Sequence, residues 1–208
     1  MERIGLIPAA GFARRLGTMA LSKELLPIGF TSRENKTALK PVFTYLLEKF
    51  KAAGLEKVYT VIRKGKWDIP TYYGDGSEFG IQMAYLIMNH PFGVPYTLDQ
   101  AYPFVKKAKI FLGFPDILFK PEEAFKLANN TLELKSADII LGLYPVKDKK
   151  MMKKCDMINH DEHDRIRQIF VKPETTGFHY SWIFSIWKPN FTKFMHSYLK
   201  CDFTKRKP

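Results

Sequence analysis

The residues best suited to chemistry lie near the N-terminus. Arg3-Ile-Gly-Leu-Ile-Pro8 is a short apolar run. A small-residue turn follows it, Ala9-Ala10-Gly11-Phe12-Ala13, and leads into Arg14, Arg15 and Leu16. Ser22 and Lys23 come next, ahead of Glu24-Leu25-Leu26-Pro27. The apolar run suits a buried strand. A turn of small residues lets backbone N–H groups approach phosphate oxygens, and spaced cations neutralise charge that those N–H groups leave. The pattern suits a nucleoside triphosphate.

The elements that must position these residues alternate along the chain. Lys40–Ala53 carries apolar residues at helical spacing, and Gly54 stops it. Lys57–Ile62 reads as a strand and Trp67–Tyr73 as a short helix closed by the turn Gly74-Asp75-Gly76-Ser77. Ile81–Ile87 is a strand, and Thr97–Lys107 a helix with Thr97 as its N-cap. Lys109–Gly113 is an apolar strand, followed by a helix over Pro121–Asn130. Asp138–Leu143, Met157–Asn159, Arg165–Val171 and Ser181–Ile186 read as strands, and Phe191–Leu199 as a closing helix. This alternation predicts an α/β fold, three-layered and Rossmann-like, with a mixed, mostly parallel sheet. No repeat or long linker interrupts it, so residues 1–208 are expected to form one domain.

In open α/β sheets ligands lie beyond the carboxyl ends of the strands. The loop after the first strand and the loop holding Asp116 should therefore open on one edge. A carboxylate facing a triphosphate is repelled unless a divalent cation lies between them. Magnesium suits that place, because it keeps waters and takes one or two carboxylates plus phosphate oxygens. Asp116 is the expected metal ligand; as a plain turn aspartate it would instead bond local backbone.

Composition narrows the classes. The two cysteines, Cys155 and Cys201, form no CxxC pair, which argues against a disulfide scaffold and fits a reducing cytoplasm. No run of about 18 apolar residues suggests a membrane span, and the N-terminus lacks a signal-peptide pattern. The net charge of +12 suits anionic partners such as phosphorylated metabolites. The lysines are scattered, as on a solvated surface, and the 17 phenylalanines sit in core-like runs, so nucleic acid and membrane are not the expected partners. Oligomeric state is open.

These motifs resemble the sugar-nucleotide pyrophosphorylases, glucose-1-phosphate thymidylyltransferases in particular. Arg15-Leu16 and Thr18-Met19-Ala20-Leu21-Ser22-Lys23-Glu24-Leu25-Leu26-Pro27-Ile28 follow the family's N-terminal pattern. Gly74-Asp75-Gly76-Ser77-Glu78-Phe79-Gly80, Leu98-Asp99-Gln100-Ala101, Phe111-Leu112-Gly113-Phe114-Pro115-Asp116 and Lys172-Pro173 match further segments in family order. The resemblance implies a magnesium-assisted attack of a sugar 1-phosphate oxygen on the α-phosphorus of a nucleoside triphosphate, with dTTP or UTP favoured. Arg15 and Lys23 would then be catalytic. Ala9, Ala10, Gly11, Phe12, Ala13, Arg14, Met88, Thr97 and Leu98 would lie at the nucleotide, and Asp116 would carry magnesium. Lys172, Asp156 and Val171 would lie at the acceptor.

Departures from the family pattern are equally specific. Ala10, Ala13 and Arg14 replace two glycines and a threonine, and the resulting turn also resembles methylerythritol-phosphate cytidylyltransferases. A cytidylyltransferase acting on a phosphorylated alcohol is therefore an alternative. Val171 replaces a glutamate at the sugar, and Asp156 a glycine. Trp187 falls at the place of a second metal carboxylate, which leaves a non-catalytic nucleotide-binding regulator as another alternative. The cluster His160 to Asp164 has metal-ligand residue types, but its setting is a hairpin tip. Met88 to Pro95 reads either as a lid or as a plain surface loop.

Overall fold

The computed structural model describes residues 1–13, 17, 19, 21–33 and 36–205. Arg14 and Arg15 lie outside the described residues. The chain divides into two compact units, one of Met1–Ile140 with Ile186–Pro208, the other of Leu141–Ser185.

The first unit runs through β1 (Arg3–Pro8), β2 (Pro27–Arg33), β3 (Lys36–Pro41), α1 (Val42–Ala52), β4 (Lys57–Arg63), α2 (Asp68–Tyr73), β5 (Gln82–Met88), α3 (Val94–Asp99), α4 (Tyr102–Val105), β6 (Lys109–Gly113) and α5 (Ala124–Leu134). β1, β4, β5 and β6 are parallel and lie in the order β5-β4-β1-β6. Parallel strands need both faces covered, so they read as continuous apolar runs. All five residues of β6 are buried, and Lys109 there reaches Asn129 and Glu133 on α5.

α1 packs an apolar face against this sheet. Phe43, Leu46, Leu47 and Phe50 are fully buried on it. Each contributes about 1.5–3 kcal/mol in gross transfer terms. Close approach depends on Gly113: a Cβ there would lie 2.4 Å from Leu46 Cδ1. Gly54 ends α1 at φ +74, donating to the Lys51 carbonyl while Leu55 N–H donates to that of Phe50. That pairing is the Schellman arrangement, and only glycine meets its left-handed position without strain.

The second unit holds most of β7 (Ile139–Pro145) together with α6 (Lys149–Met152), β8 (Met157–His160), β9 (Ile166–Phe170) and most of β10 (Tyr180–Trp187). β8 pairs antiparallel with β9 and with β10, and β7 pairs with β10. Val146, Met152 and Met157 form its buried cluster, backed by Phe170 and Phe178. The chain then returns to the first unit as α7 (Pro189–Lys205). α3 and α4 contact α7, whereas α1 contacts α5. The α/β class with a mixed, mostly parallel sheet is as expected.

Some elements differ from the sequence reading. The helix expected over Thr97–Lys107 begins earlier, at Val94, and is broken into α3 and α4. Its N-cap is Gly93 at φ 109, and Pro95 fits the first turn because it lacks an N–H to satisfy. Thr97 is therefore inside the helix, and its hydroxyl donates back to the Gly93 carbonyl at 3.0 Å. α5 likewise starts at Ala124 rather than Pro121 and runs on to Leu134. The hairpin β2–β3 and the short α6 were not anticipated.

Candidate active site

Lys23 is placed by a 3-10 turn over Lys23–Leu25. Leu25 N–H donates to the Ser22 carbonyl at 2.8 Å, and the Leu26 carbonyl accepts the first N–H of α1, from Val42, at 2.9 Å. Asp68 at the start of α2 fastens the other side. Its carboxylate accepts from Ser22 N–H at 2.5 Å, Ser22 Oγ at 2.8 Å and Ile69 N–H at 3.1 Å. The lysine so held meets Asp116, which follows β6: Lys23 Nζ lies 2.5 Å from Asp116 Oδ2. Both side chains remain partly exposed, at 24% and 37%.

A cavity of about 450 Å³ opens at this pair. Ala10, Gly11 and Phe12 from the turn after β1 line it, with Thr97 and Val94 from α3. Lys23, Glu24 and Asp116 supply its charges. Gly11 lines the cavity, and a side chain there would meet nothing within 4 Å. Ala9 is buried behind the turn and donates to the Val61 carbonyl at 2.8 Å. Ala13 stands at φ 52, a conformation that glycine adopts more readily than alanine.

Beneath the turn lies an ion pair that no motif or spacing singles out. Glu24 and Lys66 are buried, with side chains 1% and 5% exposed, and Lys66 Nζ lies 2.6 Å from Glu24 Oε2. Lys66 also donates to the Ala9 carbonyl at 2.8 Å. Burial pushes the Lys66 ammonium below the usual lysine range; Glu24 opposes that shift, and Lys23 and Arg63 add to it. Lys66 stands in the run Arg63-Lys64-Gly65-Lys66, which by composition reads as a solvated loop.

The first unit thus brings Ala10, Gly11, Phe12, Lys23, Thr97 and Asp116 to one cavity. Met88 and Leu98 are buried, at 7% and 5% exposure, within β5 and α3. Pro91, Gly93 and Val94, from the segment read as a lid or loop, line the cavity. Trp187 is a core residue: it is 2% exposed and its indole N–H donates to Thr192 Oγ1 at 2.8 Å.

In the second unit, Met157 pairs with Phe170 across β8 and β9. Asp156 precedes that pair and Val171 follows it, so both flank one end of the ladder. Asp156 Oδ1 is buried with no hydrogen-bond partner among the described residues. Val171 is 74% exposed, and Lys172 beside it stands at φ 42. At the other end of the ladder Asp161 organises the His160–Asp164 tip. Its carboxylate accepts from the N–H groups of His163 and Arg165, each at 2.9 Å, and from the Arg167 guanidinium. Among the described residues no His, Cys, Asp or Glu cluster could by itself hold a metal ion, and no helix is long and apolar enough to cross a membrane.

The chain resembles known proteins in sequence and in fold. The chain is 24% identical over 173 residues to a low-salt glycan biosynthesis nucleotidyltransferase of Haloferax volcanii, covering 82% of this chain and 44% of that protein. It is 27% identical over 180 residues to a mannose-1-phosphate guanylyltransferase of Mycobacterium tuberculosis, covering 84% and 45%. A glucose-1-phosphate thymidylyltransferase of Streptomyces antibioticus shares 31% identity over 83 residues, or 39% of this chain and 23% of the relative. The chain spans less than half the length of these curated relatives.

Among solved structures, one from Bacillus anthracis, assigned as a glucose-1-phosphate thymidylyltransferase in complex with sucrose, superposes with TM-score 0.80 at 18% identity. It covers 99% of this chain and 76% of that one. A UDP-glucose pyrophosphorylase complexed with UDP-glucose gives 0.73 at 17%, covering 94% and 79%. At such identities the likeness is one of fold. Residues 4–201 match the nucleotidyl transferase family model, and the chain belongs to that family.

Proposed function

We propose that this chain performs magnesium-assisted nucleotidyl transfer from a nucleoside triphosphate, dTTP or UTP in preference, to a sugar 1-phosphate-like acceptor. An acceptor phosphate oxygen bonds to the α-phosphorus, the α–β phosphoanhydride bond breaks, and pyrophosphate leaves. The observation that carries this reading is the Lys23–Asp116 pair on a cavity lined by the Ala10–Phe12 turn. The relatives' names support the sugar-phosphate class.

The pair is suited to exchange. A partly exposed ion pair is worth about 0–1 kcal/mol. Phosphate oxygens accept a charge-assisted bond from an ammonium as a carboxylate does, so Lys23 can exchange the carboxylate for a phosphate oxygen. The carboxylates among the described cavity residues are Glu24 and Asp116, and Glu24 is already neutralised by Lys66. Asp116 therefore fits a magnesium site of the one-carboxylate kind, completed by phosphate oxygens and water. Bound there, magnesium would neutralise charge shared between two anionic reactants. The protein's own work is positioning and charge placement. Thr97 and the Gly93–Val94 segment wall the nucleotide side.

The test is incubation with each common triphosphate, magnesium and a panel of sugar 1-phosphates while pyrophosphate release is followed. Turnover with a pyrimidine triphosphate is expected. Triphosphate binding without turnover on any acceptor would instead favour a regulatory nucleotide binder, the reading to which Trp187 points. Absence of both binding and turnover refutes either reading.

A further inference from the structure

A second cavity, of about 300 Å³, shares Gly11, Phe12 and Lys23 with the first and adds Arg63, Lys66 and Trp67 to its walls. Arg63 is the last residue of β4 and so stands at the carboxyl edge of the parallel strands, where ligands of such sheets bind. Its guanidinium carbon lies 4.8 Å from the centroid of the Phe12 ring. The turn that offers phosphate-binding N–H groups therefore also holds the arginine.

The cations in this cavity are not equally engaged. Lys66 is taken by Glu24 and the Ala9 carbonyl. The Asp68 carboxylate is taken by Ser22 and the Ile69 N–H. Arg63 donates from Nη1 to the carbonyl of its neighbour Lys64 at 3.1 Å. Its Nε is buried with no hydrogen-bond partner among the described residues. Among the described residues Lys23, Arg63 and Lys66 all line this cavity, so their positive charge converges on one space. A guanidinium that makes no ion pair among the described residues can match phosphate in a bidentate way that a lysine cannot reproduce.

We propose that Arg63 binds the departing pyrophosphate, and the same β- and γ-phosphates before they leave. This rests on the nucleotidyl-transfer reading for the identity of the anion. When the α–β bond breaks, its electron pair stays on the bridging oxygen of the β-phosphate, and Arg63 donates N–H bonds to the diphosphate so formed. No proton transfer is required. Phe12 fixes the plane of the guanidinium, and Lys23 holds the junction between the two cavities.

The test is calorimetric titration of the full chain with pyrophosphate, using sulfate at matched ionic strength as the control anion. R63M is expected to weaken pyrophosphate binding about tenfold or more, with R63K intermediate because it keeps charge and loses the fork. F12L should weaken it less than R63M. In the reverse reaction R63M raises KM for pyrophosphate and leaves KM for the nucleotide sugar unchanged. Pyrophosphate binding that is absent in the wild type, or equal in wild type, R63M and R63K, overturns the proposal. If R63M does not fold, the comparison of wild type with R63K decides alone. Loss of binding in these variants, with no turnover on any acceptor, leaves the arginine site standing and removes the nucleotidyl-transfer reading. Full turnover with pyrophosphate affinity untouched by the substitutions does the reverse.

Discussion

Lys23 and Asp116 neutralise one another at the mouth of the cavity, so removing either one should do more than delete a charge. D116N leaves Lys23 without its carboxylate and removes the expected metal ligand; K23M removes the proposed phosphate contact. Each is expected to lower kcat/KM by about 10²–10³, the range for losing one group that stabilises developing charge. Tm should move little, because the pair is partly exposed. Pyrophosphate release and thermal melts of the same preparations check both halves. Gly11 offers a complementary experiment. A side chain there meets nothing within 4 Å, so G11L should fold normally while filling the cavity. KM for the triphosphate is expected to rise about tenfold, corresponding to ~1.4 kcal/mol of lost binding. The buried pair behind the turn has the opposite character. K66M strands the Glu24 carboxylate in the core and should lose about 3–5 kcal/mol in urea unfolding, whereas E24M/K66M should recover most of it. Recovery of stability without recovery of the triphosphate KM would show that Lys66 also holds the Ala9 carbonyl in place.

Elements decide which of these residues a reader of the sequence can find. Lys23 and Asp116 were legible because each follows a recognisable strand, and parallel strands deliver their loops to one edge. Glu24 and Lys66 were not, since acidic and basic residues in short loops ordinarily face water, and their burial depends on contacts between distant segments. The hairpin β2–β3 escaped notice because Pro27, Gly29 and Pro41 look like breakers, while its strand residues such as Phe30 are 71% exposed and make no buried alternation. Thr97 was misplaced for a related reason: Gly93 and Pro95 suggested a loop, yet together they start a helix. The β8–β9 hairpin shows a turn whose chemistry could be read directly. Asp161 collects two backbone N–H groups and a guanidinium, which hold its carboxyl below the usual aspartate range, the Arg165 N–H bond contributing most. A depressed carboxyl pKa stabilises the fold above the unfolded value, about 3.9, and that stabilisation disappears as pH falls through the folded value. D161N should therefore lower Tm near neutral pH, and the difference from wild type should shrink as pH falls below about 4. Melts of the two proteins from pH 7 to pH 2 measure it. A Tm difference independent of pH would mean that the carboxylate charge plays no part in the turn.

At the scale of the whole molecule, the net charge of +12 invites a trivial explanation for any anion effect. Diffuse positive charge is relieved by counter-ions of many kinds, because screening depends on ionic strength rather than on fit. A built site responds to one ligand and stabilises the native state by RT ln(1 + [L]/Kd), about 2.7 kcal/mol at a hundredfold excess over Kd. For a domain of about 150–250 residues each kcal/mol moves Tm by roughly 2–4 °C, so a cognate triphosphate with magnesium should raise it by about 5–10 °C. Both cavities are lined by residues of the first unit, so the stabilisation belongs to that unit, and scanning calorimetry would show it there if the units melt separately. Sulfate at equal ionic strength is the decisive control. A shift with UTP or dTTP that sulfate does not reproduce, and that D116N reduces in the presence of magnesium, identifies a triphosphate site of defined chemistry. An equal shift with sulfate would reduce Lys23 and Arg63 to part of a generally basic surface, and the assignment of the cavity to a triphosphate would fall with it.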